Sequence, residues 1–348
     1  MNLPDLAWDE GSAYDLFASL SVLHQPDRFG LRASWAAGVR SRLTTPLREV
    51  LESAQSFLSV PLPWIYRLPA PKNAGCALAA LAEMPPADRL PTLFFHRETP
   101  PLLRQIAERT ARQGSYTPQD ISAVRSAVGQ RSVPFTAAEA AALLNAWRSP
   151  AEFGENYLAA LQAYVQAFFN EEEQRITPVI EEGLRAAQEL AGRLSLPQLL
   201  ETLSQGVDFE NWLTMPHLVI APSYWCNPYI YTGSVDANTM LVMFGCRPAD
   251  TPLVPGDTIP ETALHALKAL ADPTRLSILR YLAEQPMTPT QLAQRLRLRP
   301  PTVVHHLHAL RLAGLVRVIV ENEGLRYAAR LEALDTTFDT LKQFLQTD

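Results

Sequence analysis

The sequence predicts a mainly α chain of the α+β class: a long helical first part carrying a small antiparallel sheet, then a separate helical module that ends in a hairpin. Three observations predict it. Helix start signals recur from residue 3 to about residue 205. Between residues 206 and 247 the apolar period changes from helical to extended. Beyond a proline-rich stretch at 248–260, a second run of capped helices ends in two β-branched segments. At 348 residues the chain is longer than one typical domain.

In the first part, Thr45-Pro46, Thr99-Pro100, Thr117-Pro118 and Thr177-Pro178 each pair a cap residue with a proline. Proline suits the first helical turn, where its missing N–H has no intrahelical acceptor to lose. Thr136 with Glu139 reads as a capping box. The longest helices are expected around 157–169 and 176–194, with Glu171, Glu172 and Glu173 between them. The proline-rich connections at 61–71 and 85–86 read as ordered, because aromatics such as Trp64 and Tyr66 punctuate them. There is no sequence repeat at a fixed period.

Short strands are then expected at 207–215, 218–221, 229–232 and 240–246. The resulting division is a helical domain at 1–205, a small antiparallel β subdomain packed on it at 206–250, a linker at 251–262 and the C-terminal module at 263–348.

The module is the most legible stretch. Asp272-Pro273 caps and opens a helix through Leu276, Leu279 and Leu282. Thr288 with Gln291 is a capping box opening a short helix with Leu292 and Leu296. Val303, Leu307 and Leu310 then recur at i, i+4 and i+7, which gives the next helix one buried stripe. Gly314 ends that helix, as a residue tolerant of the left-handed conformation should. Residues 315–320, a turn at 321–324 and residues 325–330 form a hairpin. Helix, helix, turn, helix, hairpin is a winged helix-turn-helix.

The charge pattern points the same way. Residues 262–348 hold 11 of the 30 Lys+Arg and only 8 of the 36 Asp+Glu, in a chain of net charge −6. From Arg295 through Arg317 there is no carboxylate at all. A basic patch on an acidic protein is the electrostatic footprint of a DNA-binding module. On the helix carrying the stripe, Pro301, His305 and His308 lie opposite the apolar face, with Val304 and Arg311 on one flank. His305 and His308 are the expected groove contacts, with Thr302 and Val304 near the helix N-terminus. Arg297, Arg299 and Arg311 are expected on phosphates, Arg317 and Arg326 on the wing, and His306 at the edge of the buried face.

The pieces Ala271-Asp272-Pro273-Thr274-Arg275, Gln291-Leu292-Ala293, Thr302-Val303, His305-His306-Leu307, Leu310-Arg311 and Ala313-Gly314-Leu315-Val316 resemble the ArsR family of bacterial winged-helix transcription regulators. The resemblance covers roughly a fifth of the chain and implies double-stranded DNA as partner. It also implies a homodimer built on the module's first and last helices. The last helix supplies Leu334, Phe338, Leu341 and Leu345 as an apolar stripe for that contact. The sequence departs from the family where Arg299 and Val304 replace small hydroxyl residues. Metal-sensing members carry paired cysteines before the recognition helix, or His and Asp clusters on the last helix. Here 287–296 lacks Cys and 331–348 lacks both Cys and His, so no metal site of those layouts is expected. More loosely, 26–43 and 218–231 are similar to a domain found ahead of some ArsR-like regulators, one that brings no assigned activity.

No cofactor or catalytic residue is expected. No phosphate loop, nucleophile elbow or two-metal motif occurs, and His24, His96 and His217 lack ligand spacing. Three widely spaced cysteines argue for a reducing cytoplasm, and no run is long and apolar enough to suggest a membrane partner. Trp212, Tyr224, Trp225, Tyr229 and Tyr231 are open to two readings, the lining of a small-molecule effector pocket or simply core between sheet and helices. A different class of function also stays open: a small-molecule-binding or enzymatic first domain, with the winged helix as an accessory.

Overall fold

A computed structural model describes residues 4–128, 135–208, 213, 215–248, 251, 261–321 and 324–346. The protein is mainly helical with two small sheets. One is a four-stranded sheet ordered β1 (Asp5–Trp8), β3 (His217–Ser223), β5 (Thr239–Gly245) and β4 (Tyr231–Ser234). The other is ordered β2 (Val207–Asp208), β6 (Val316–Glu321) and β7 (Gly324–Ala329).

The first sheet is mixed, which corrects the antiparallel expectation. β1 and β5 both run parallel to β3, and only β4 is antiparallel, pairing Tyr231 with Met243. The reason lies in burial. β3 is buried from Leu218 through Ser223 and β5 from Leu241 through Phe244. A strand covered on both faces needs a continuous apolar run rather than alternation, and LVIA and LVMF are such runs. The opening helix Ala13–His24 and its neighbours share one core with Val219, Ala221, Leu241 and Met243. Leu218, Ile220, Val242 and Phe244 face a second cluster with Ala187, Leu199 and Leu200. Because β1 comes from the first residues of the chain, residues 206–250 do not form their own sheet.

The two long helices expected near 170 are one. Helix Pro150–Tyr164 runs through a π turn, Val165–Phe169, into helix Asn170–Ala191. Thr177-Pro178 therefore lies inside a helix instead of starting one. The three glutamates are likewise helical. Glu173 accepts from Ser12 Oγ at 2.5 Å and from the Ala74 backbone N–H at 2.8 Å. Glu172 is buried and paired with Arg175, whose Nη1 also donates to the Tyr224 hydroxyl at 2.8 Å. Glu172 and Glu173 thus anchor neighbouring elements, whereas Glu171 is exposed.

Asp15, fully buried on the opening helix, accepts from Ser223 Oγ at 2.7 Å and from the Trp225 N–H at 2.8 Å. Burial pushes its carboxyl up to about 7. This contact fixes the loop after β3, and that loop carries Tyr229.

The C-terminal module has its own core, with Ile278, Leu292, Val303, Leu307, Leu310 and Val316 all buried. Its helices are Glu261–Leu270, Pro273–Glu284, Pro289–Leu296, Pro300–Leu312 and Glu332–Gln346. The Asp272 cap, the Thr288–Gln291 capping box and a left-handed Gly314 (φ 68°) form as expected. Leu276 does not join the buried face: it is 48 % exposed, and Ile278 takes its place beside Leu279 and Leu282. The expected turn residues 322 and 323, and most of the linker, lie outside the described residues.

The wing's sheet has a third strand that the sequence did not assign to it. β2 pairs parallel to β6, matching Val207 with Val318, and Val318 N–H donates to Gly206 O at 2.9 Å. Val318 and Val320 also pack against the outer cluster of the first domain's sheet. The first domain is therefore docked along the wing.

Candidate nucleic-acid interface

The interface is built on the turn between helices Pro289–Leu296 and Pro300–Leu312. Arg297 takes a left-handed conformation (φ 55°), and Leu298 N–H returns to Ala293 O at 2.9 Å, closing the first helix as a Schellman-type end. For a residue with a Cβ this conformation costs about 1–2 kcal/mol, which the buried Leu292 and Val303 on either side offset. The chain is thereby turned into the second helix, whose first turn begins with Pro300 and Pro301. Arg299 is its N-terminal flanking residue and makes no side-chain cap, as its lack of an acceptor requires.

Arg297, Arg299, Pro301, Thr302 and His305 are all exposed. Val304 is half-buried. No carboxylate lies on this part of the helix; Pro300 and Pro301 have no N–H and the Thr302 and Val303 N–H groups donate to Arg299 O at 3.0 and 3.2 Å, so the positive dipole end and the exposed guanidinium and imidazole groups supply its attraction for anions. Such a surface can bind an anionic backbone and present small side chains between phosphates.

The second half of the same helix is arranged differently, and two expectations fail there. His308 is half-buried, and its Nδ1 lies 2.9 Å from the Tyr229 hydroxyl. That hydroxyl donates to Arg28 O at 3.0 Å, so Nδ1 must be the donor toward Tyr229. Burial, then the Arg28 and His305 charges, hold the His308 pKa below its usual value. His308 is therefore a domain contact and not a free groove reader.

Arg311 is 5 % exposed and touches no phosphate-accessible surface. Its Nη2 donates to Ser204 O at 2.8 Å and its Nη1 to Gln205 O at 2.9 Å, at the C-terminal end of helix Leu196–Leu203. Arg330 Nη1 reaches the same Gln205 O at 3.1 Å. Two guanidinium groups thus satisfy the carbonyls a helix leaves open at its negative end. Burial, and next Arg330, pull the Arg311 pKa down to about 10.

The remaining expected contacts divide. His306 sits with its Nδ1 4.0 Å from the Asp272 carboxylate, a boundary packing position whose burial lowers its pKa. Arg317 is half-exposed on the wing and 3.7 Å from Glu201. Arg326 Nη2 donates to Pro286 O at 2.8 Å. On the last helix Leu334 packs on the module core, Phe338 is 47 % exposed and Leu341 is half-buried. The Leu345 side chain lies outside the described residues.

The aromatic cluster also splits. Tyr224 and Trp225 are core: Trp225 stacks on Trp35 at 6.2 Å and meets Phe168 edge-on. Tyr229 and Tyr231 line a cavity of about 870 Å³ in the first domain. Trp212 lies outside the described residues. The sequence reading missed the rest of that cavity, chiefly Ser21, His24, Arg28, Gln55 and Phe57. A signal for it existed. The opening helix is buried nearly all round yet contains Asp15, Ser19, Ser21 and His24, and polar residues on such a helix require partners.

Fold and exposed face together define a winged helix-turn-helix module held against a larger helical domain with a mixed sheet. The comparisons agree for the module: a helix-turn-helix domain family matches residues 270–319. An uncharacterized HTH-type transcriptional regulator of Methanocaldococcus jannaschii is 43 % identical over 58 residues, 16 % of this chain and 65 % of that protein. The HTH-type transcriptional regulator CmtR of Mycobacterium tuberculosis, like that of Mycobacterium bovis, is 46 % identical over 69 residues, 20 % of this chain and 58 % of its own length. The chain thus spans less than two thirds of the curated relatives it matches. No solved structure matches it. Among the described residues, no cluster of metal-ligating side chains occurs, and no helix is long and apolar enough to cross a membrane.

Proposed function

We propose that the protein is a sequence-specific DNA-binding transcription regulator of the ArsR type, acting as a homodimer in the cytoplasm. The observation that carries this reading is the carboxylate-free start of helix Pro300–Leu312, where Arg297, Arg299, Thr302 and His305 are exposed. The matched helix-turn-helix family and the names of the relatives support it. Dimerisation is supported by Leu267 on the module's first helix and Leu331 and Phe338 at its last, which are 37 %, 55 % and 47 % exposed. A two-fold dimer would set two such helices about 34 Å apart on a pseudo-palindromic operator. The ArsR resemblance favours repression. The first domain serves effector sensing, dimerisation or both, with no catalytic role and no metal site of the known cysteine type.

The test is binding to the DNA upstream of the protein's own gene against a shuffled control, at two salt concentrations. Specific binding that persists at the higher salt and falls in His305→Ala supports the reading. Equal binding to both DNAs that vanishes with salt would reduce the module to a basic patch.

A further inference from the structure

We propose that the cavity of about 870 Å³ in the first domain is an effector site for a neutral, partly aromatic small molecule carrying hydroxyl or N–H donors, and that its occupation holds the recognition helix clasped and lowers DNA affinity. The proposal rests on the reading of the module as DNA-binding and adds the ligand class and the direction of control.

The ligand chemistry follows from the walls. His24 lines the cavity, and its Nδ1 donates to Leu20 O at 2.8 Å. Its Nε2 is buried with no hydrogen-bond partner. Burial keeps this imidazole neutral, so Nε2 is an acceptor that only an incoming donor can satisfy. Beside it, Gln55 Oε1 is already occupied by Ser21 Oγ at 3.1 Å, leaving the amide N–H groups to turn toward a ligand oxygen. Phe29, Phe57, Phe94 and Tyr231 supply aromatic walls. The lining mixes both signs, Arg28 and Arg40 with Glu52, Glu98 and Glu139, and Arg40 lies 4.0 Å from Glu52. Without an excess of cations, the lining favours a neutral ligand over an anion. The volume lies in the range of small-molecule sites, about 300–1,000 Å³.

The coupling follows from Tyr229, which belongs to two structures at once. One side of its ring closes the cavity. It also meets Phe29 edge-on at 5.2 Å, lies 5.6 Å from the Arg28 guanidinium, and holds His308 through its hydroxyl. The His308 contact adds to the Phe29 and Arg28 contacts that position this wall, so a ligand fitted to the wall in its clasped position stabilises the clasped form. The clasped form disfavours DNA for a geometric reason. A major groove about 12 Å wide takes a helix about 10–12 Å across, so both helix flanks must meet phosphate walls. Here one flank is covered by residues 26–29 and Tyr229, and that domain holds most of the protein's carboxylates.

The experiment uses the full chain and, as probe, the three-ring phenol naringenin, with its fully O-methylated ether as the control lacking donors. Calorimetry without DNA tests the site, and operator affinity with and without probe tests the coupling. The expected result is binding of naringenin but not the ether, with DNA affinity falling about 5- to 150-fold. His24→Leu should lose the probe and keep wild-type DNA affinity. Tyr229→Phe should bind DNA more tightly than wild type and no longer respond to the probe. Thermal melting verifies that each variant is folded, and Gln55→Leu repeats the first test if His24→Leu is not. No calorimetric binding by wild type, or unchanged binding in the folded cavity variant, overturns the site. Binding with unchanged DNA affinity overturns the control. If wild type does not distinguish operator from shuffled DNA, the DNA-binding reading has failed, and calorimetry still decides the site.

Discussion

The two halves of helix Pro300–Leu312 have the same local character and opposite surroundings. Both are free of carboxylates, both carry cationic or titratable side chains, and both share the apolar stripe of Val303, Leu307 and Leu310. The first half presents Arg299, Thr302 and His305 to solvent, whereas the second commits His308 and Arg311 to the first domain. A helical angle places a side chain on a flank; it does not say whether solvent, DNA or another domain stands there.

Arg311 breaks the comparison most sharply. Arg311→Met keeps the apolar stem and removes the donors to Ser204 O and Gln205 O. Hydrogen bonds to a charged group contribute about 1.5–3 kcal/mol, so denaturant unfolding should show a loss of about 2–3 kcal/mol. Unchanged stability with lost DNA affinity would return Arg311 to the phosphate role the sequence suggested.

Gly30 is the next lever. It sits at φ 71° against His265, and a Cβ there would come within 2.2 Å of that ring. Gly30→Ala should weaken docking because its Cβ would run into the His265 ring, and should separately cost the first domain about 1–2 kcal/mol through the left-handed conformation. Small-angle scattering should then show a more extended particle, and operator affinity should rise. An unchanged particle would mean that the domain contact does not depend on this close approach.

Arg299→Ala should do the reverse on the exposed half. Stability should stay within about 0.5 kcal/mol, while DNA affinity drops on all sequences and the salt slope shrinks by about 1. A loss of folding stability would show that the two halves are alike after all.

The smallest effect is that of pH. Because burial, then Arg28 and His305, lower the His308 pKa, the clasped form takes up its proton less readily than the released form. Clasping is therefore fully present above the usual histidine value and weakens as pH falls through it. Between about pH 8 and about pH 5.5, operator affinity should rise more for wild type than for His308→Gln. Equal slopes would remove His308 from the clasp.

Much of the module was legible because its signals are local. Asp272, Thr288 and Gly314 act within one turn of helix, and an i, i+4, i+7 stripe needs only its own helix to be read. The exposure of Arg299, Thr302 and His305 followed from the same pattern. The sheet's orientation did not, because LVIA and LVMF show burial on both faces without showing which strand covers which edge. Thr177-Pro178 misled because a proline signature marks a helix start only when the preceding turn is free. Here Asn170–Ala191 continues directly from the helix before it.

The sequence by itself determined that residues 270–330 form capped helices and a hairpin around one apolar stripe, and that their outer face is basic. Those properties depend on neighbours a few residues away. Only the tertiary structure decided that Gln205 and Gly206 would meet Arg311 and Val318, that Tyr229 would hold His308, and that a cavity would lie behind it. These contacts join residues about 80 to 110 positions apart. Their energy comes from burial and from satisfying carbonyls that no local pattern announces.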